Sequence, residues 1–254
     1  MAEEKIIREL MCNDLRKLGI KAGDTVLVHS SLRSLGPLPG RAETAIGALL
    51  EVLGEDGTLL FPALSFATVG IRNPVFDVRN TPSCVGALPE YFRKREGTCR
   101  SIHPTHSVSA IGKKAAALLA EHYLDETSCG EHSPFRRLRE EGDWILFIGC
   151  SIAPNTSMHA VEELVTPPYL HREKVLYKCI LEDGSERTMD VKRHNFQGYA
   201  QNYRRLGEIL TEKELRHGSV LNAECYLMKI SAMWEKGYDC LKKDPFFFVR
   251  KLDQ

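Results

Sequence analysis

The sequence predicts an α/β fold: a mostly parallel or mixed central sheet flanked by helices in three layers, with a C-terminal α+β subregion that contains a β-hairpin. Three observations predict it. Over the first two thirds of the chain, short apolar runs alternate with amphipathic segments, the pattern of strands buried on both faces by crossover helices. The loops after His29, Phe61 and Gly149 follow such strands directly, where ligands of these sheets bind. After Pro167-Pro168 the texture changes, and Glu182-Asp183-Gly184-Ser185 gives a hairpin turn signal.

Each element has its own signal. Ile6, Ile7, Leu10, Met11, Leu15 and Leu18 recur at helical spacing, and Gly19 stops the segment as a C-terminal cap residue does. Gly23-Asp24 turns the chain into Thr25–His29, a β-branched apolar strand. Ala45, Ile46, Leu49, Leu50 and Leu53 predict a second helix, closed by Gly54 and followed by the strand Thr58–Phe61. The alternation continues with a helix near Gly86–Arg95, a strand at Ser107–Ile111, a helix at Lys113–Tyr123 and the strand Trp144–Gly149. Lys174–Leu181 and Glu186–Val191 flank the hairpin turn. A helix at Phe196–Leu210, a short apolar piece near Val220–Met228 and a helix at Lys229–Leu241 complete the chain. With no Gly/Ser linker, low-complexity tract or repeat, residues 1–254 read as one domain.

A chain of 254 residues buries a substantial core without disulfides or metals, and its 43% apolar and 27% charged residues are those of a globular protein. Its formal net charge of zero gives no general pull toward nucleic acid or anionic lipid, so phosphate recognition has to be local. The charged opening Met1-Ala2-Glu3-Glu4-Lys5 is unlike a signal peptide, and no run approaches the roughly 20 apolar residues of a membrane span. The expectation is a cytoplasmic protein with no nucleic-acid or membrane partner; a homodimer stays open. Eight scattered cysteines without a C-x-x-C pair read as reduced, mostly buried thiols.

Three segments carry chemistry. His29-Ser30-Ser31-Leu32 follows the first strand, where hydroxyls and backbone N–H groups are placed to bind an acyl carbonyl or a pantetheine amide. Arg100-Ser101-Ile102-His103-Pro104-Thr105-His106-Ser107 packs two imidazoles, hydroxyls and a guanidinium before a buried strand, and Pro104 suits a shaped loop. Thr156-Ser157-Met158-His159-Ala160-Val161-Glu162-Glu163 starts a helix that Asn155 or Thr156 caps, with His159 and Glu162 three apart on one face. A carboxylate on one imidazole nitrogen fixes the tautomer and raises the basicity of the other, as a general base requires.

The same residues admit two other classes. His103, His106, His159 and Glu162 are ligand types for a metal-dependent hydrolase, although H-x-x-H straddles a proline and H-E-x-x-H is missing. Cys150, at a strand end, with His159 as its base, would give an acyl-enzyme route, but no G-x-S-x-G context or cysteine at a helix start supports it. The absence of G-x-x-x-x-G-K-[ST] and G-x-G-x-x-G disfavours nucleotide hydrolysis and dinucleotide binding.

Taken in series, His29-Ser30-Ser31-Leu32, Phe76-Asp77 with Thr81-Pro82-Ser83 and Gly86, the Arg100–Ser107 segment, Gly130 with Ser133-Pro134-Phe135, and Thr156-x-x-His159-x-x-Glu162 resemble the aminoglycoside 3-N-acetyltransferase family, from about Leu10 to the end. The resemblance implies acetyl-CoA as donor, no metal, and direct transfer to a small-molecule amine, foremost the 3-amino group of an aminoglycoside. It implies residues 1–168 as the acyl-CoA-binding core and 169–254 as the α+β subregion. Ser30, Ser31 and Leu32 would meet the acetyl-pantetheine end, with a backbone N–H near Ser31 on the thioester oxygen. His106, Ser107 and Val108 would line the same tunnel. His159 would be the base and Glu162 its orienting partner, while Asp77 and Glu163 would bind substrate ammonium groups and His194 would form cleft wall. A polycationic acceptor calls for a cleft crowded with carboxylates, yet the loops also carry Arg33, Arg41, Arg72, Arg79 and Arg100.

Overall fold

The computed structural model describes residues 2–252; Met1, Asp253 and Gln254, the ends of the 1–254 domain expected above, lie outside the described residues. In chain order the helices are α1 Ala2–Leu18, α2 Ala42–Leu53, α3 Ala87–Phe92, α4 Ala115–Leu119, α5 Pro134–Glu141, α6 Ser157–Val165, α7 Leu206–Ile209 and α8 Ile230–Lys243. The strands are β1 Thr25–Ser30, β2 Thr58–Pro62, β3 Val75–Asp77, β4 Cys99–Arg100, β5 Val108–Gly112, β6 Trp144–Ile148, β7 His171–Ile180, β8 Glu186–His194, β9 Tyr199–Gln201, β10 Leu215–Val220, β11 Ala223–Lys229 and β12 Val249–Lys251.

Seven strands form one sheet in the order β10-β11-β6-β1-β2-β5-β4. Its centre, β6-β1-β2, is parallel, while β11 on β6 and β5 on β2 are antiparallel. The sheet is therefore mixed. Alternation along each strand splits the core into two layers: Val26, Val28, Leu59, Phe61, Leu146 and Ile148 pack under α1 and α2. Leu27, Leu60, Ile145 and Phe147 face the opposite layer with α5, α6 and α8.

The reversed strand positions the site. Because β5 runs against β2, its amino end lies beside the carboxyl ends of β1, β2 and β6, so Thr105-His106-Ser107 joins the loops after Ser30, Pro62 and Ile148 at one sheet edge. Two of these loops touch at Gly149, whose φ is +62°; a Cβ there would lie 2.2 Å from the Cβ of Ser34. Only a residue without a side chain lets the loop after β1 rest on the loop after β6.

Most predicted elements appear within a few residues of their expected bounds, including the β7–β8 hairpin, to which β3 adds in parallel. One expectation is corrected, and one piece without an assigned element is resolved. The helix expected at Phe196–Leu210 is instead β9, a 3-10 turn at Tyr203–Arg205 and α7, because β9 pairs with β12. The apolar piece near Val220–Met228 is the β10–β11 hairpin, and β11 extends the main sheet beside β6.

Candidate active site

The start of α6 fixes the His159–Glu162 pair. Asn155, fully buried, accepts the Ser157 N–H at 3.2 Å and points its amide nitrogen at the sulfurs of Met228 and Met233, so the side chain at this helix entrance is locked. One turn on, His159 Nδ1 lies 2.9 Å from Glu162 Oε2. The Glu162 carboxylate is 0% exposed and accepts two further hydrogen bonds, from Tyr203 Oη at 2.7 Å on Oε2 and from Tyr169 Oη at 2.9 Å on Oε1. Both tyrosine protons point at the carboxylate, so Nδ1 of His159 carries the ring's proton and Nε2 presents a lone pair to the cleft. The Gln201 side-chain amide donates to that nitrogen at 3.2 Å.

Tyr203→Phe tests this shell. Losing one donor from a buried carboxylate should cost about 1–3 kcal/mol, read as a lower urea midpoint with an unchanged slope. An unchanged midpoint would mean that the hydroxyl does not hold Glu162.

A cleft of about 540 Å³ opens over His159, lined by Leu64, Phe66, Thr105, His106, Ser128, Tyr177, Arg193, His194, Phe196 and Gln201 among others. It abuts a chamber of about 110 Å³ lined by His29, Ser30, Cys150 and Pro89; Val85, Pro154 and Thr156 border both. Imidazoles dominate the back wall: His194 stands 4.3 Å from His159 between ring centroids and 4.9 Å from His106, and His103 stacks on His122 at 4.7 Å. Burial and the neighbouring imidazoles hold His106 and His194 well below the ordinary histidine value, so both are neutral rings at neutral pH.

The other expected residues divide. Ser30 borders the chamber, and its Oγ and His29 Nε2 are buried without a partner. The Ser31 N–H donates to the Ile148 carbonyl at 2.8 Å and is not free to hold a thioester oxygen, while Leu32 packs against the layer under α1 and α2. His106 lines the cleft, but Ser107 and Val108 lie behind it. The Ser107 hydroxyl donates to Ala63 O and accepts from Arg100 Nε, and Val108 is part of the core. Arg100 is a structural rivet: its guanidinium also reaches the carbonyls of Val78, Thr81 and Ala63. His103 Nδ1 accepts the His106 N–H at 2.9 Å and shapes the loop.

Asp77 caps its own turn, accepting the N–H groups of Arg79 and Asn80, and lies outside the cleft lining. The Glu163 side chain, 6% exposed, accepts from the Thr127 hydroxyl and the Cys129 N–H and lies 4.0 Å from His194 of the cleft lining; desolvation pushes its carboxyl up to about 7. Burial likewise pushes the Cys150 thiol up to about 11, which leaves it unactivated as a nucleophile. His103, His106, His159 and Glu162 do not converge as a ligand set: successive imidazole centroids are 6.0 and 6.2 Å apart, and the Glu162 oxygens are taken. Among the described residues, no group of three or more His, Cys, Asp or Glu is arranged to hold a metal ion. No helix among them is long and apolar enough to cross a membrane.

Sequence reasoning missed Tyr169, Tyr177, Arg193, Gln201 and Tyr203. Gln201 and Tyr203 were hidden by the expected helix over 196–210. Tyr177 was legible as an inward-facing position of the predicted hairpin, and Arg193, two residues beyond the predicted strand Glu186–Val191, continues the same parity, since they align with buried Cys179 and Val191.

The model for the family described as aminoglycoside 3-N-acetyltransferase matches residues 27–242. Aminoglycoside N(3)-acetyltransferase VII of Streptomyces paromomycinus is 34% identical over 180 residues, covering 64% of this chain and 62% of that protein's length. The aminoglycoside N(3')-acetyltransferase-like protein YokD of Bacillus subtilis is 28% identical over 247 residues, 88% of each chain. A solved structure described as AAC-IIIb binary with CoASH superposes with a TM-score of 0.79 at 26% identity, covering 93% of this chain and 96% of the other. With the family model spanning β1 through nearly all of α8, the chain belongs to the aminoglycoside 3-N-acetyltransferase family of acyltransferases.

Proposed function

We propose that the protein transfers the acetyl group of acetyl-CoA to an amine, with His159 as general base and Glu162 as the residue that orients it. The single observation that carries this reading is a cleft-facing imidazole nitrogen whose opposite nitrogen is tied to a buried, fully hydrogen-bonded carboxylate. The donor site is read at the chamber behind the cleft. A pantetheine arm brings amide and thioester oxygens, and Ser30 Oγ and His29 Nε2 are orphaned polar atoms of the kind such groups satisfy. The CoASH complex of the AAC-IIIb relative supports the same donor, and a cytoplasmic location, where acetyl-CoA is supplied, agrees with that reading.

The donor contributes an activated acetyl carbonyl and a thiolate leaving group. As the amine nitrogen bonds to the acetyl carbon and the carbon–sulfur bond breaks, His159 Nε2 takes the nitrogen's proton and the departing thiolate takes one in turn. The Glu162 carboxylate offsets the positive charge that forms on the ring, and Gln201 yields its place to the substrate nitrogen. The names of the relatives make the 3-amino group of an aminoglycoside the first acceptor to try.

Two measurements test the reading on the intact protein. Acetyl-CoA at about a hundredfold excess over its Kd should stabilise by about 2.7 kcal/mol, a rise in Tm of roughly 5–10 °C. An amine should then release CoA thiol. Neither stabilisation nor amine-dependent thiol release would leave the family fold without this activity.

A further inference from the structure

The cleft lining carries a charge pattern opposite to the one a polycation requires. Among the described residues that line it there is no aspartate or glutamate, and its one formally charged side chain is Arg193. The nearest carboxylates are withdrawn: Glu162 is buried behind His159, and the Glu163 side chain, 6% exposed, is held by Thr127 and Cys129. Bringing several ammonium groups into such a cleft strips their hydration with no carboxylate to offset the charge.

The β7–β8 hairpin supplies the complementary feature. Tyr177, whose side chain is essentially fully buried, and Arg193 lie on the hairpin's inward face, and both line the cleft. Tyr177 Oη and Arg193 Nε are buried without any hydrogen-bond partner, and so is Nε2 of the adjacent His194. Arg193 has one partner, Glu173, bound through Nη2, but that carboxylate is 66% exposed on the outer side and leaves the inner donor free. A phenol and a guanidinium N–H, both buried and unpaired in residues of the cavity wall, are donors that an acceptor seated against that wall would satisfy, and the guanidinium selects a negative one.

Resting on the acetyl-transfer reading of this cleft, we propose that the acceptor is an amine bearing an anionic group, seated against Arg193 and Tyr177 while its nitrogen meets His159, and not a polycationic aminoglycoside. Carboxylate and phosphate share the chemistry that this pair recognises. Leu64, Phe66 and Phe196 suit an apolar body between the two ends.

The test compares kcat/KM for thiol release from acetyl-CoA with matched acceptors: benzylamine against para-carboxybenzylamine, ethanolamine against phosphoethanolamine, and kanamycin. At least one anionic amine should exceed its uncharged counterpart, and kanamycin, by about tenfold or more, and the pair that responds identifies the anion. Arg193→Gln should collapse that ratio by about 10- to 100-fold, mainly through KM, and Tyr177→Phe should shrink it several-fold. Stabilisation of each variant by acetyl-CoA shows that it is folded. Kanamycin ranking first, or a ratio that survives Arg193→Gln, overturns this inference and leaves the transferase standing. Thiol release with none of the amines removes both.

Discussion

Replacing His159 by alanine is expected to lower kcat by about 10²- to 10⁴-fold, the usual size of a lost general base, while acetyl-CoA still raises Tm almost as in the native protein. The split follows from the geometry. Nε2 faces the cleft beside Gln201, whereas the chamber read as the donor site is lined by His29, Ser30 and Cys150. An alkylamine is mostly ammonium at neutral pH, so without the imidazole only the small neutral fraction reacts. Single-turnover kinetics with the preferred amine measures the effect, and a variant that retains near-native turnover would end the assignment of His159 as base.

The second large effect is on stability. Burial holds His29 and His122 down to about 3 and His103, His106 and His194 well below the ordinary value near 6.5. In the unfolded chain each of these rings titrates near 6.5. Their contribution is complete above that pH. Below it the unfolded chain binds protons that the folded chain refuses, so stability falls by about 1.4 kcal/mol per group for each pH unit. Five such groups exhaust a domain's typical stability of about 5–15 kcal/mol within roughly two pH units. Glu163, raised to about 7, and Asp24 and Asp125, raised by burial, act in the opposite sense, but they are three groups against these five histidines and His171, which burial holds down to about 4. Far-UV circular dichroism should therefore stay flat from about pH 8 to 7 and show steep, multi-proton unfolding centred near about pH 5. A native spectrum persisting at about pH 4 would show that the rings accept protons without unfolding the protein.

What could be read in the sequence was what local periodicity controls. The runs at Thr25–His29, Thr58–Phe61 and Trp144–Gly149 are buried on both faces and say so in their composition. His159 and Glu162 share a helix, so their meeting follows from spacing alone. The failures lie where distant chain decides. Tyr199, Tyr203, Leu206 and Leu210 repeat at helical intervals, yet Tyr199–Gln201 is extended because β12 supplies its hydrogen bonds. The β10–β11 hairpin turns through Leu221 at φ +50°, without the glycine that announces such turns. For α5 the signal was present, since Ser133 accepts the Arg136 N–H as a cap and Pro134 opens the helix. Asp77 misled for a different reason: a carboxylate in a motif serves a turn as readily as a ligand.

The pairing of β12 with β9 gives the His159 imidazole a remote anchor. Gln201, whose amide rests on Nε2, sits directly opposite Val249, so the backbone that steadies this contact belongs to the last strand described. Fraying at that edge would loosen the contact on His159, so the setting of the imidazole rests partly on residues outside the cleft lining.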